Sequence, residues 1–273
     1  MNEPINIILA PTVVVLSRQT IDRAGLATWT GLYGADGWQS DVTEAGDVLP
    51  EIAGRSCYGS FANPRPGGNA AYLRHVIDEG HTSVLEHAVW TLGIAGISRP
   101  CSHQLVRHRV GLSPSQLSQR FYDESECSFV LPPALMGVYQ NWLSNPPEPE
   151  PSDAHVADCW LYTGWQFVCG EALSFYREIT RDLMGRGLTR KQAREAARSV
   201  LPECVETRIV FTGNARAWRH FLALRGSEHA DAEIRRLAVA VAETLQAEAP
   251  NVFADVAIQS DGVSVGGADR AGG

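Results

Sequence analysis

The chain has 273 residues, of which 44% are hydrophobic and 20% charged, and it carries a formal net charge of −8 at pH 7. This is the balance of a globular chain that can bury one substantial core or two small ones. It argues against broad nucleic-acid binding, where a basic surface supplies most of the affinity, and no apolar run approaches the roughly 20 residues that cross a membrane.

The opening residues, Met1 to Ile5, lack the basic and apolar regions of a signal peptide. Six cysteines, at 57, 101, 127, 159, 169 and 204, are scattered without a CxxC pair, which suits reduced thiols in a cytoplasm. Asn6–Leu9 and Thr12–Leu16 predict a short edge or buried strand. Residues 18–43, with Gly25, Gly31, Gly34 and Gly37, read as irregular. A helix is predicted from Thr43 to Cys57, and a second, N-capped by Asn69, runs through His75 to Glu79. Gly80–His87 breaks the pattern. Ala88–Ala95 then reads as a strand and Ser98–His108 as a helix.

That helix delivers residues 104–121, where Gly111 and Pro114 interrupt any regular period and predict a loop. Cys127–Leu131 reads as a strand and Pro146–Ser152 as a linker-like surface loop. Asp153–Gly185 is the longest helical pattern, with Val156, Trp160, Leu161, Phe167, Val168, Leu173, Phe175, Ile179 and Leu183 at helical spacing. A helix from Thr189 to Leu201 ends at Pro202, and Val205–Thr212 alternates as a strand does. Gly213-Asn214 turns the chain into a helix to Arg225, and His229–Ala247 is another. Residues 261–273 are Gly- and Ala-rich and are expected to be a disordered tail. No internal repeat is found. The reading is α+β, a single domain over 1–260 with a helical C-terminal half.

The chemistry gathers in residues 104–121, where Arg107, His108, Arg109 and Arg120 surround Ser113, Ser115, Gln116, Ser118 and Gln119. Arginine presents a planar fork of donors to phosphate or to a carbonyl edge, and the amides and hydroxyls can fix a ring. A basic loop on a solvated face is the plainer alternative. It is weakened by the acidity of the whole chain and by serines and amides standing where Lys and Glu are expected. Arg190, Arg194 and Arg198 follow at i, i+4 and i+8, where like charges repel by roughly 0.2–0.5 kcal/mol per pair. For Arg198 a ligand role is favoured, and for Arg190 and Arg194 a solvated face weighs equally. Asn214, Arg216, Arg219, His220, Arg225 and His229 form a third basic group, with Asn214 at a helix start suited to phosphate. Three basic clusters in an acidic chain point to one or two polyanionic ligands. His81, His87, Cys101 and His103 lack the spacing of a metal site, and none is expected. No GxGxxG follows a strand and no Walker loop is present, so neither common nucleotide fold is indicated.

Together these segments resemble the flavin-dependent thymidylate synthases. That family carries an Arg-His-Arg, a spacer, then a Ser and an Arg, matched here by Arg107-His108-Arg109, Ser118 and Arg120. The resemblance includes Cys57-Tyr58, the stretch Gly80 to His87, and Gln104. It continues in Arg190 to Pro202, Thr212 to Arg216 and Arg225 to Ala230, in collinear order from about 45 to 257. It implies a fold of that family's kind, with a central antiparallel sheet flanked by helices, and a homotetramer with active sites shared between subunits. It also implies FAD, NADPH and methylenetetrahydrofolate, used to methylate C5 of a uracil nucleotide.

By position in the family's motifs, Ser83, Arg107, His108, Arg109, Gln116, Asn214, Arg216 and His220 are expected to hold FAD. Gln104, Arg107, Gln116, Leu117, Ser118, Gln119, Arg120, Arg198 and Arg225 are expected to hold the nucleotide. Arg225 is the expected catalytic residue, stabilising negative charge at N3 and O2 of uracil, an effect typically of ~3–4 kcal/mol for one such donor. Ser118 has no evident base beside it and is expected to bind rather than attack. The dipeptide Pro100-Cys101 resembles the nucleophile of the cysteine-dependent thymidylate synthases, but nothing around it does, and a buried structural thiol is expected. Two departures stand out: Val110 to Leu117 makes a spacer of eight residues where seven is usual, and Phe121 replaces a usual Tyr. The extra residue is expected in a loop over the nucleotide, and with it acceptance of UMP as well as dUMP. A strict dUMP enzyme, a silent flavin- and nucleotide-binding homologue and a binder of uracil in RNA are the alternatives.

Overall fold

The structure, a computed structural model, describes residues 5–144 and 153–266. The linker-like stretch 146–152 lies outside the described residues, as does the tail beyond 266. The first half of the chain forms β1 (Asn6–Ile8), β2 (Thr12–Arg18), α1 (Arg23–Gly31), α2 (Ala45–Tyr58), α3 (Gly68–Asp78), β3 (Val89–Ser98), α4 (Arg99–Leu105), β4 (Leu112–Gln116), β5 (Ser128–Val130) and α5 (Met136–Ser144). The second half forms α6 (Asp153–Gly185), α7 (Arg190–Ala197), β6 (Glu206–Asn214), α8 (Ala215–Arg225), α9 (Ala232–Glu248), β7 (Val256–Gln259) and β8 (Gly262–Val265). A four-stranded antiparallel sheet runs in the order β2-β3-β6-β4, and helices flank it, as an α+β fold requires.

The chain gathers into two compact units. The first holds Met1–Pro11, Ala95–Leu105 and Gln116–Ile209; the second holds Thr12–Ile94, Val106–Ser115 and Val210–Gly273. In the first unit β1 pairs in parallel with β5, Ile7 opposite Phe129, and Phe129 bridges Val205. Phe129, Cys169, Leu173, Val205 and Cys127 close an apolar cluster there. In the second unit Trp218 packs against Phe211 and Phe221 at 5.6 and 5.8 Å between ring centroids, and Trp90 packs on Phe253. A buried polar chain ties α2 and α3 together: Asn69 Nδ2 donates to the Asp47 carbonyl and to Glu51, which pairs with Arg55 at 2.8 Å.

Four local expectations are corrected. Within 18–43, Arg23–Gly31 is helical, because the Asp22 carboxylate accepts from the Ala24 and Gly25 N–H groups and caps it. Asn69 lies inside α3, whose N-cap is Gly67, and its amide serves the buried polar chain just described. Residues 112–116, expected as loop, form β4; the strand tolerates Pro114 because it lies at the sheet edge, where a missing N–H has no partner to lose. Gly262–Val265, expected within a disordered tail, pairs antiparallel with Val256–Gln259. α6 runs over the expected Asp153–Gly185, but not all of its apolar side chains reach the core: Trp160, Phe167, Val168 and Phe175 are exposed.

Candidate active site

The second unit holds the Arg107–Gly111 segment against α8. Asn214 caps the helix, its Oδ1 accepting from Ala217 N at 2.9 Å, and its own N–H donates to the Gly111 carbonyl. Gly111 is required here. Its φ is +71°, and a Cβ would come within 2.7 Å of Asn214 Nδ2 and 2.9 Å of the Ala217 Cβ. This fixes where the chain leaves Arg109 and enters β4.

One turn of α8 then carries His220, Phe221 and Arg225 to His108. The His108 ring meets Phe221 edge-on at 5.4 Å and His220 at 6.1 Å. Arg225 Nε donates to His108 Nε2 at 3.0 Å. Burial foremost, then the charge of Arg225 and the nearness of His220, push the His108 imidazole down to about 4. A neutral ring is what this contact needs, since a protonated Nε2 has no lone pair to accept with. His108 thereby orients the planar fork of Arg225. Arg107 and Arg109, on either side, are exposed, and their guanidinium groups make no hydrogen bond or ion pair among the described residues. Arg216 is paired with Glu86 at 2.6 Å, and Ser83 is exposed in the 3-10 turn Thr82–His87 that carries Glu86.

The first unit holds the segment Gln116 to Arg120, expected from the sequence to bind the nucleotide. Leu117 N donates to the Arg208 carbonyl, and the Leu117 carbonyl accepts from Arg99 Nη1 at 3.4 Å. Gln116 Nε2 donates to Ser102 Oγ at 2.8 Å and to Thr207 Oγ1 at 3.2 Å. The Ser118 carbonyl accepts from Phe121 N and Tyr122 N, turning the chain so that Arg120 lies 5.8 Å from the Phe121 ring. Gln119 is buried and lines a cavity of about 430 Å³ with Arg99, His103, Arg198 and Glu203. Arg198 is exposed on its rim, and its guanidinium makes no hydrogen bond or ion pair among the described residues. Gln104 lies half-buried near the end of α4.

With this geometry in view, residues 40–251 match the family described as Thymidylate synthase complementing protein. The flavin-dependent thymidylate synthase of Mycobacterium sp. (strain KMS) is 49% identical over 240 residues, covering 84% of this chain and 87% of that protein. Those of Mycobacteroides abscessus and Mycobacterium tuberculosis are 48% and 47% identical, with the same coverage. The chain belongs to the flavin-dependent thymidylate synthase family.

Within this flavin-dependent thymidylate synthase family member, several basic residues belong to the scaffold. Arg194, weighed as a ligand group, donates instead to the Phe121 carbonyl and to Asp123, both at 2.7 Å, and braces the turn after Arg120. Arg219 is fully buried on Asp255 and the Val252 carbonyl, a place in the scaffold. His229, one turn after Arg225 in sequence, is exposed beside Glu228, while Arg225 turns to His108. Cys101 is buried, as a structural thiol is. Ser102, Thr207 and Arg99 surround Gln116 and Leu117, and sequence reasoning did not single them out. Thr207 stands 91 residues from Gln116, so no spacing rule joins them.

Proposed function

We propose that this chain is an enzyme that methylates C5 of uracil in a nucleoside monophosphate. In this reading it uses FAD, takes its carbon from methylenetetrahydrofolate and its electrons from NADPH, and accepts UMP as well as dUMP. Its catalytic domain spans 1–260, and it acts in the cytoplasm as a homotetramer. The observation that carries the reading is the Arg225–His108 contact in a chain 49% identical to a flavin-dependent thymidylate synthase.

The residues present fit a flavin dinucleotide. Arg107 and Arg109 offer two guanidinium groups without protein partners, which suits a diphosphate. Beside them, Gly111 brings bare backbone against the start of α8. Bound FAD supplies the hydride chemistry. What the chain's own residues do follows from uracil, whose C5 is a weak nucleophile until charge is drawn onto the ring. Arg225, held by neutral His108, stabilises that charge at N3 and O2, and Arg198 and Arg120 serve the phosphate. Ser118, whose hydroxyl has no histidine or carboxylate hydrogen-bonded to it among the described residues, binds and does not attack.

Relaxed sugar recognition is supported by the spacer. The spacer Val110 to Leu117 is one residue longer than usual, and it passes through the turn Arg109–Leu112, closed by Leu112 N on the Arg109 carbonyl, into β4, which re-sets the path of the chain toward Ser118 and Arg120. Assembly is supported by the apolar face that α6 exposes, with Trp160 71% and Phe167 60% accessible; a second copy of this chain is the occupant that the reading assigns to it. Purified protein incubated with FAD and desalted is expected to stay yellow, with near-stoichiometric flavin. Colourless protein that retains no flavin would sink the reading.

A further inference from the structure

The Gln116 carboxamide can be oriented in two ways, and the orientation decides what it recognises. An outward NH₂ donates to a ligand; an outward oxygen accepts from one. Two hydroxyls touch it on the protein side, Ser102 Oγ at 2.8 Å and Thr207 Oγ1 at 3.2 Å. A hydroxyl normally suits either orientation, since it both donates and accepts.

Ser102 does not have that freedom. Its single hydrogen is committed to the Arg99 carbonyl at 2.8 Å, one turn back in α4. Only lone pairs remain on its oxygen, so it must be given a hydrogen, and the Gln116 NH₂ gives it one. Thr207 Oγ1 already accepts from Arg99 Nη1 at 3.1 Å, and its remaining lone pair takes the other contact from the same NH₂. Ser102 and Thr207 are both buried, so an oxygen facing an oxygen there would go without relief from water. The flipped amide is therefore excluded by the Ser102 side, and the Gln116 oxygen has no protein partner among the described residues.

We infer that Ser102 and Thr207 are positioning residues which lock the Gln116 carboxamide with its NH₂ inward, making Gln116 an obligate acceptor for an N–H or hydroxyl donor of the bound nucleotide. The inference rests on the nucleotide-binding reading above and adds the direction of the hydrogen bond and the residues that impose it. Substrates offer such a donor at the uracil imide N–H, at the 3′-hydroxyl and, in UMP alone, at the 2′-hydroxyl.

A double-mutant cycle on the FAD-loaded full chain tests it, with UMP and dUMP titrated calorimetrically. Gln116→Ala and Ser102→Ala are each expected to weaken binding ~10-fold, the range for one neutral hydrogen bond. The double variant is expected to be no weaker than Gln116→Ala alone, because Ser102 acts only through that amide. Ser102→Cys, whose thiol keeps the shape and accepts only weakly, repeats the cycle should Ser102→Ala fail to fold. A loss confined to UMP assigns the donor to the 2′-hydroxyl, and equal losses assign it to a donor that both share. Losses that multiply in the double variants overturn the inference while leaving the proposed function standing. Wild-type protein that binds neither nucleotide overturns both.

Discussion

Helix α7 and its cap carry Arg190, Arg194 and Arg198, and α8 carries Arg216, Arg219 and Arg225. In sequence the two rows look alike. On α7 only the middle guanidinium is engaged, through Phe121 and Asp123, while the side chains of Arg190 and Arg198 make no hydrogen bond or ion pair among the described residues. On α8 every arginine has a protein acceptor: Glu86 for Arg216, Asp255 for Arg219 and His108 for Arg225. Repulsion within the α7 row is left to solvent, whereas each α8 guanidinium is fixed by a partner from elsewhere in its unit. The difference separates a row that can reach for phosphate from one that holds a guanidinium in a set direction, as electrostatic catalysis requires.

The widest separation between the rows is expected in stability. Arg219→Ala leaves Asp255 as an uncompensated charge that is 9% exposed, and should destabilise the fold by about 3–5 kcal/mol in a denaturant titration. The same truncation at exposed Arg190 should stay within about 0.5 kcal/mol. Equal effects at the two positions would erase the distinction drawn here.

Arg225→Ala is expected to lower kcat by about 10²–10³ with flavin retained, the loss typical of one preorganised donor. Flavin loss with an unchanged kcat in the surviving holoenzyme would assign Arg225 to the cofactor instead.

A smaller effect follows from the partner. His108 titrates near 4 in the folded chain and at its ordinary value of 6.5 when unfolded. Between these values the unfolded chain binds the extra proton, so His108 makes stability fall as pH drops from about 6.5 to about 4, by at most ~1.4 kcal/mol per pH unit. Above 6.5 it contributes no slope. Denaturant titrations of His108→Gln should lack this component, and an identical slope in the variant would contradict the assignment.

Much of this was legible in the sequence where one local pattern decided the outcome. Thirty-three residues of uninterrupted helical spacing gave α6 its limits, and the Gly213-Asn214 step marked the start of α8. The basic segments marked the candidate ligand-bearing regions because they are unusual in an acidic chain. Where tertiary partners decide, sequence was silent. Gly25 and Gly31 masked α1, which the Asp22 cap secures, and Pro114 masked a strand that only its edge position permits. The structural roles of Arg194 and Arg219 depend on Asp123 and Asp255, which lie 71 and 36 residues away. The residues that orient Gln116 are ordinary hydroxyls, and only a count of their hydrogens distinguishes them.

Parallel steady-state assays with UMP and dUMP, under the same supply of FAD, NADPH and methylenetetrahydrofolate, test the central claim most directly. The account predicts a C5-methylated product from both nucleotides, with their kcat/KM values within about a thousandfold of one another. Turnover of dUMP alone, beyond that ratio, would contradict relaxed sugar recognition, and no methylated product from either nucleotide would contradict the account as a whole.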